Sequence, residues 1–80
     1  MSIVRGKSGI HYYVDEIRRD ANGVITVVKI FQRQVNEQDL IEFYTMVVDL
    51  DSKGEIKAPG FTEAAKSIAN RLDITLVELR

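Results

Sequence analysis

The chain has 80 residues, with 11 Lys+Arg against 12 Asp+Glu, a formal charge of −1 and 45% hydrophobic residues. That is one small domain with room for one core, and its balance excludes a disordered chain, a collagen-like chain and a uniformly basic nucleic-acid coat protein. Zero cysteines exclude disulfide scaffolds, thiolate metal sites and a cysteine nucleophile, and the single histidine, His11, excludes any site built on two imidazoles.

Residues 1–9 contain no apolar signal-peptide core, and Arg5-Gly6-Lys7-Ser8-Gly9 reads as a flexible basic leader to a single mixed-sheet domain over 10–80. Gly6-Lys7-Ser8 resembles the end of a phosphate-binding loop. The required earlier glycine would fall on Met1, so that reading is set aside. No stretch is long and apolar enough to span a membrane, and a cytoplasmic setting is the expectation.

Residues 10–19 and 24–34 are rich in β-branched and aromatic residues and flank Asp20-Ala21-Asn22-Gly23, a hairpin signal. The predicted geometry is a type I turn with Gly23 in a left-handed bulge and Asp20 paired with Val24. Carried outward, this register sets Ile17 opposite Val27, Asp15 opposite Lys29 and Tyr13 opposite Phe31. His11 falls on the first of these strands, as an ordinary strand residue rather than a catalyst.

Asn36 is a helix cap, and Leu40, Phe43, Tyr44, Val47 and Leu50 keep helical spacing, predicting a helix over 37–50. The β-branched content after Tyr44 leaves a strand from 42 as the rival. Asp49–Glu55 has the flavour of a calcium loop, but Lys53 stands at a ligand position and the closing glutamate is missing, so a solvated turn is expected. A short strand over 55–58 ends at Pro59-Gly60, and a helix over 62–72 starts at the cap Thr62. The chain closes in a strand over 74–79 that is apolar on both faces, as for an interior strand. The order hairpin, helix, strand, helix, strand defines an α/β fold with a mixed sheet and a parallel crossover between the last two strands.

Charge is unevenly spread. Residues 1–34 carry a net +3 and residues 35–80 a net −4. The cations Lys7, Arg18, Arg19, Lys29 and Arg33 are the candidate nucleic-acid contacts, with Tyr13 and Phe31 as stacking surface between them.

A strand carrying Glu-x-Lys beside a strand carrying Asp is how metal-dependent phosphodiesterases hold Mg²⁺ and position water. Lys29, Val35, Asp39-Leu40 and Phe43, followed by Gly60-Phe61-Thr62 with Ala65, Ala69, Ile74 and Leu76, resemble the restriction-endonuclease-like PD-(D/E)XK superfamily, in its Mrr-type branch. The resemblance implies that family's core, without its leading helix since the chain begins at a strand. It maps the family's lysine onto Lys29 and its glutamate onto Val27, which cannot ligate a metal. The family's aspartate falls either at Gly9-Ile10-His11 or, by the hairpin register, on Asp15. Asp15 and Lys29 are therefore the candidate catalytic pair, with a simple cross-strand ion pair as the alternative.

The resulting expectation is a non-catalytic interaction module of nuclease-like ancestry. Its partner would be a second copy or another protein, with no cofactor and no metal site. The alternatives are a weak nucleic-acid-binding domain using Lys29, Arg33 and Arg18, and an active nuclease, for which alone Mg²⁺ would be required.

Overall fold

The computed structural model describes residues 2–80. Its elements are β1 (Ser2–Arg5), β2 (His11–Val14), β3 (Glu16–Arg19), β4 (Ile25–Ile30), α1 (Glu37–Leu50), β5 (Lys53–Ala58), α2 (Glu63–Leu72) and β6 (Thr75–Glu78). They form a two-stranded sheet, β1-β2, and a four-stranded sheet in the order β3-β4-β5-β6. Among the described residues no helix is long and apolar enough to cross a membrane.

The β3–β4 hairpin forms in the predicted register. Ile17 pairs with Val27, and the Gly23 N–H donates to the Asp20 carbonyl while Gly23 takes a φ of +82°. The Asp20 carboxylate also accepts from the N–H groups of Asn22 and Val24, which closes the loop. Beyond Glu16 the prediction fails. The strand breaks at Asp15, and the preceding piece becomes β2, so Tyr13 pairs with Ile3 and not with Phe31.

The partner of β2 is the segment expected as a flexible leader. Ser2–Arg5 is an antiparallel strand, and the turn after it is fastened to the end of α1. Asp49 is the fastener. Its carboxylate accepts from Ser8 N–H (2.9 Å), Ser8 Oγ (2.6 Å) and Tyr12 Oη (2.8 Å). Lys7 N–H donates to its carbonyl. A Cβ at Gly6 would meet the Asp49 carboxylate, so a larger residue there would push the fastener out of place. A lock made by residues 41 positions apart leaves no local sequence signal.

The helix over 37–50 forms over its full predicted length, against the strand rival. Asn36 Oδ1 accepts from Asp39 N–H while Asp39 Oδ2 accepts from Asn36 N–H, so two otherwise unpaired donors are satisfied reciprocally. Poor helix propensity after Tyr44 is outweighed by burial of Phe43, Met46 and Val47. Thr62 caps α2 through Ala65 N–H, as predicted.

β4, β5 and β6 are parallel neighbours. Both crossovers step the same way across the sheet, so right-handed connections put α1 and α2 on one face. That face holds Val27, Ile56 and Leu76, with Gly54 beneath Phe43 and Val47, and the core is completed by Leu40, Ala65 and Ala69. The last strand is a correction: β6 lies at the sheet's edge, and the interior positions belong to β4 and β5. Its apolar residues are only half-buried, because β5 takes the centre.

Candidate functional site

Asp15 and Lys29 are brought near each other by the register but do not form an ion pair. Asp15 Oδ2 accepts from Ile30 N–H at 2.7 Å, and Asp15 N–H donates to the Val28 carbonyl at 3.0 Å. The carboxylate thus caps the place where the hairpin splits. Lys29 has no carboxylate within ion-pair distance among the described residues; its ammonium lies 5.9 Å from the centroid of the Phe31 ring.

Arg33 lies over the same ring at 5.2 Å, so Phe31 has two cations about it. Arg33 also grips Asp39 with two bonds of 2.8 and 2.9 Å, a fork-to-carboxylate arrangement. Lys29, Phe31, Arg33, Asp39, Tyr12 and Glu42 border a cleft of about 340 Å³ at the carboxyl end of β4. This is where open α/β sheets place ligands. Tyr13, the other expected stacking residue, is on the β1–β2 sheet and does not border this cleft.

The five candidate cations do not share one surface. Lys7 is beside the end of α1, Lys29 and Arg33 border the β4 cleft, and Arg18 and Arg19 border a cleft at the opposite end of the sheet. Arg18 is held by Glu55 at 2.6 Å and by Glu16 at 3.3 Å. Lys7 reaches Asp51 only loosely, at 4.0 Å.

Val27 stands where the resemblance puts a glutamate. It points into the helix side of the sheet and is 0% exposed. A literal Glu-x-Lys does occur in the chain, as Glu55-Ile56-Lys57 on β5, which the sequence reading treated only as a short strand. The spacing alone could have flagged it. Glu55 and Glu16 flank Val28 on the sheet face away from the helices. Arg18 bridges these two carboxylates, and Lys57 approaches Glu16 at 3.9 Å. Val28, between them on that face, is 0% exposed.

A divalent ion fits neither position. At Lys29 the Asp15 carboxylate is engaged by a backbone N–H and Asp39 by the Arg33 fork, and Val27 offers no donor atom, which leaves Glu42 as the one uncommitted carboxylate bordering the cleft among the described residues. On β5 a guanidinium already occupies the place between the two acids. No group of three or more His, Cys, Asp or Glu suited to a metal occurs among the described residues.

Two carboxyls are held below their ordinary value of 3.8: Asp39, chiefly by the Arg33 hydrogen bonds, and Asp49, chiefly by the Ser8 hydroxyl. Tyr12 is correspondingly pushed up by its bond to Asp49. Both acids bind protons more weakly folded than unfolded, so their contribution is complete above the unfolded value and fades as pH falls through the folded one. Thermal melts should therefore lose stability below about pH 4. Asp39→Asn and Asp49→Asn should each flatten that acid limb; an unchanged limb in both variants would refute the assignment.

Solved structures share this fold. The chain is similar in structure to a repair endonuclease from Pyrococcus abyssi, with a TM-score of 0.73 and 17% identity over 98% of this chain and 38% of that one. It is also similar to EndoMS in its apo form, at 0.69 and 20% identity over 80% of this chain and 31% of that one. In an EndoMS–dsDNA2 complex the values are 0.73 and 20%, over 98% and 36%. The fold is thus a mixed α/β domain shared with part of these nuclease structures. The chain spans about a third of the length of these solved structures. No family model matches the chain, and no curated protein matches it.

Proposed function

We propose that the chain is a non-catalytic interaction module of nuclease-like, Mrr-type ancestry, acting in the cytoplasm through protein contacts and needing no metal or cofactor. The carrying observation is Val27, a fully buried valine on the core side of β4 where Glu-x-Lys would need a metal ligand. Two features add support. Asp15 is committed to the backbone of Ile30, and the one literal Glu-x-Lys is neutralised by Arg18 and Glu16.

The test is incubation of the purified chain with supercoiled plasmid and Mg²⁺ or Mn²⁺. No cutting above a no-protein control is expected. Metal-dependent cutting that disappears in Lys29→Ala would overturn the proposal.

A second reading, weak nucleic-acid binding, is favoured by one feature: Lys29, without an acidic partner among the described residues, stands with Arg33 about the Phe31 ring. One structural neighbour was solved with dsDNA. Under this reading, Lys29→Ala should weaken a gel shift at low salt and rising salt should abolish it. No shift with single- or double-stranded DNA at about 50 mM salt would remove it.

A further inference from the structure

A nucleic-acid duplex is held by cations spread along one surface. Here the candidate contacts fall at three separate places, on a chain of net charge −1. Affinity for a nucleic acid must then come from a pocket rather than from a basic face. The place where cations meet an aromatic ring is the cleft at the carboxyl end of β4. The two bonds from Asp39 hold the Arg33 guanidinium in one orientation over Phe31, while the arginine side chain stays 58% exposed. Nucleobases stack on aromatic and guanidinium planes of this kind. Phe43 and Met46 of α1 add an apolar border, and about 340 Å³ is a volume suited to a small flat ligand.

Four charges border this cleft, and two of them are satisfied: Asp39 is neutralised by Arg33. Lys29 and Glu42 are left. Among the described residues Lys29 has no carboxylate within ion-pair distance, and Glu42 meets only the Gln38 amide, at 3.5 Å. An ammonium and a carboxylate that share a cleft without reaching each other suit a ligand with an anion at one end and N–H donors at the other. A nucleotide has both. Its phosphate suits Lys29. Its base suits Glu42 if it carries an exocyclic amine, because a carboxylate only accepts. Guanine offers two adjacent donors, whereas uracil presents one N–H between two carbonyls that repel the carboxylate.

The cleft at the opposite end of the sheet is the weaker candidate, because Arg18 is already held by Glu55 and Glu16 and Asp20 by its own turn.

We infer that the β4 cleft holds one unpaired nucleotide, its base against Phe31 and Arg33, its exocyclic amine on Glu42 and its phosphate on Lys29. This rests on the second reading, nucleic-acid binding, and names its ligand. A free mononucleotide and an unpaired residue of a single strand share that chemistry. The experiment is calorimetric titration with guanosine and uridine monophosphates, a guanine-containing single-stranded oligonucleotide and its duplex, with melting curves to confirm that each variant folds. Guanosine monophosphate should bind about tenfold more tightly than uridine monophosphate, and Glu42→Gln should narrow that ratio. Lys29→Ala and Phe31→Ala should each weaken binding by about tenfold, whereas Arg19→Ala, at the far cleft, should leave it unchanged. Equal affinity for the two monophosphates, or binding indifferent to Lys29→Ala and Phe31→Ala, would overturn the inference. A duplex bound as tightly as its single strand, and weakened by Lys29→Ala, would overturn it too while leaving the second reading standing. Monophosphate binding without oligonucleotide binding would support the contacts and assign them to free nucleotides, against the second reading. No binding of any of the four defeats both.

Discussion

Val27→Glu should unfold the domain rather than restore a nuclease. The substitution recreates the Glu-x-Lys spacing with Lys29, but it puts a carboxyl on the core side of β4 at a position with 0% exposure. The cross-strand partner on β3 is Ile17 and on β5 is Gly54, and neither offers a compensating charge. An unpaired acid there would have its pKa raised by desolvation and would cost roughly 3–5 kcal/mol. A domain of this size has about 4–12 kcal/mol in total. Urea unfolding should show the loss, and any fraction still folded should not cut plasmid with Mg²⁺. A variant as stable as the parent, or one that gains cutting, would show that the Val27 position can reach a site after all.

Ile56→Ala should be nearly as damaging for a different reason. Ile56 is fully buried on β5, the strand between β4 and β6, beneath the α1–α2 layer. Emptying that position removes apolar contacts and leaves a cavity, at about 2–5 kcal/mol. For a chain this short the melting temperature should fall by roughly 10–30 °C. Ile17→Ala, at a residue already 40% exposed, is the matched control and should lower it by much less. Equal losses at the two positions would mean that the packing is not centred on β5.

Those two residues also show what the sequence made legible. Local signals were read correctly: Asp20–Gly23 set the hairpin register through Ile17 and Val27, and Asn36 and Thr62 began the helices. Each depends on neighbours in the chain. What was missed depends on contacts between distant residues. Ser2–Arg5 looked like a leader because its β-branched pair Ile3-Val4 is short and runs into the Gly- and Lys-containing segment 5–9, and its fastener, Asp49, lies 41 residues from Ser8. β6 looked interior because its residues are apolar on both faces, yet the sheet order is fixed by crossover direction.

At the candidate site the same division holds. The aromatic–cation grouping of Lys29, Phe31 and Arg33 follows from residues two apart on one strand and its extension. Asp15's bond to Ile30 N–H could not be read, because a split in the strand frees that N–H from the hairpin ladder. Arg18's bridge between Glu16 and Glu55 needs the parallel β4–β5 register, which links segments separated by a whole helix. The near-neutral total charge therefore hides opposite charges already paired across the sheet, rather than one basic face.

Under the proposed reading this sheet does not hold a catalytic metal. Its most direct test is titration of the ¹⁵N-labelled chain with Mn²⁺, following paramagnetic broadening of backbone amide signals. The account predicts only diffuse, non-saturating broadening near exposed acids such as Asp51. Selective, saturable broadening centred on Asp15 and Lys29, or on Glu16 and Glu55, would contradict it.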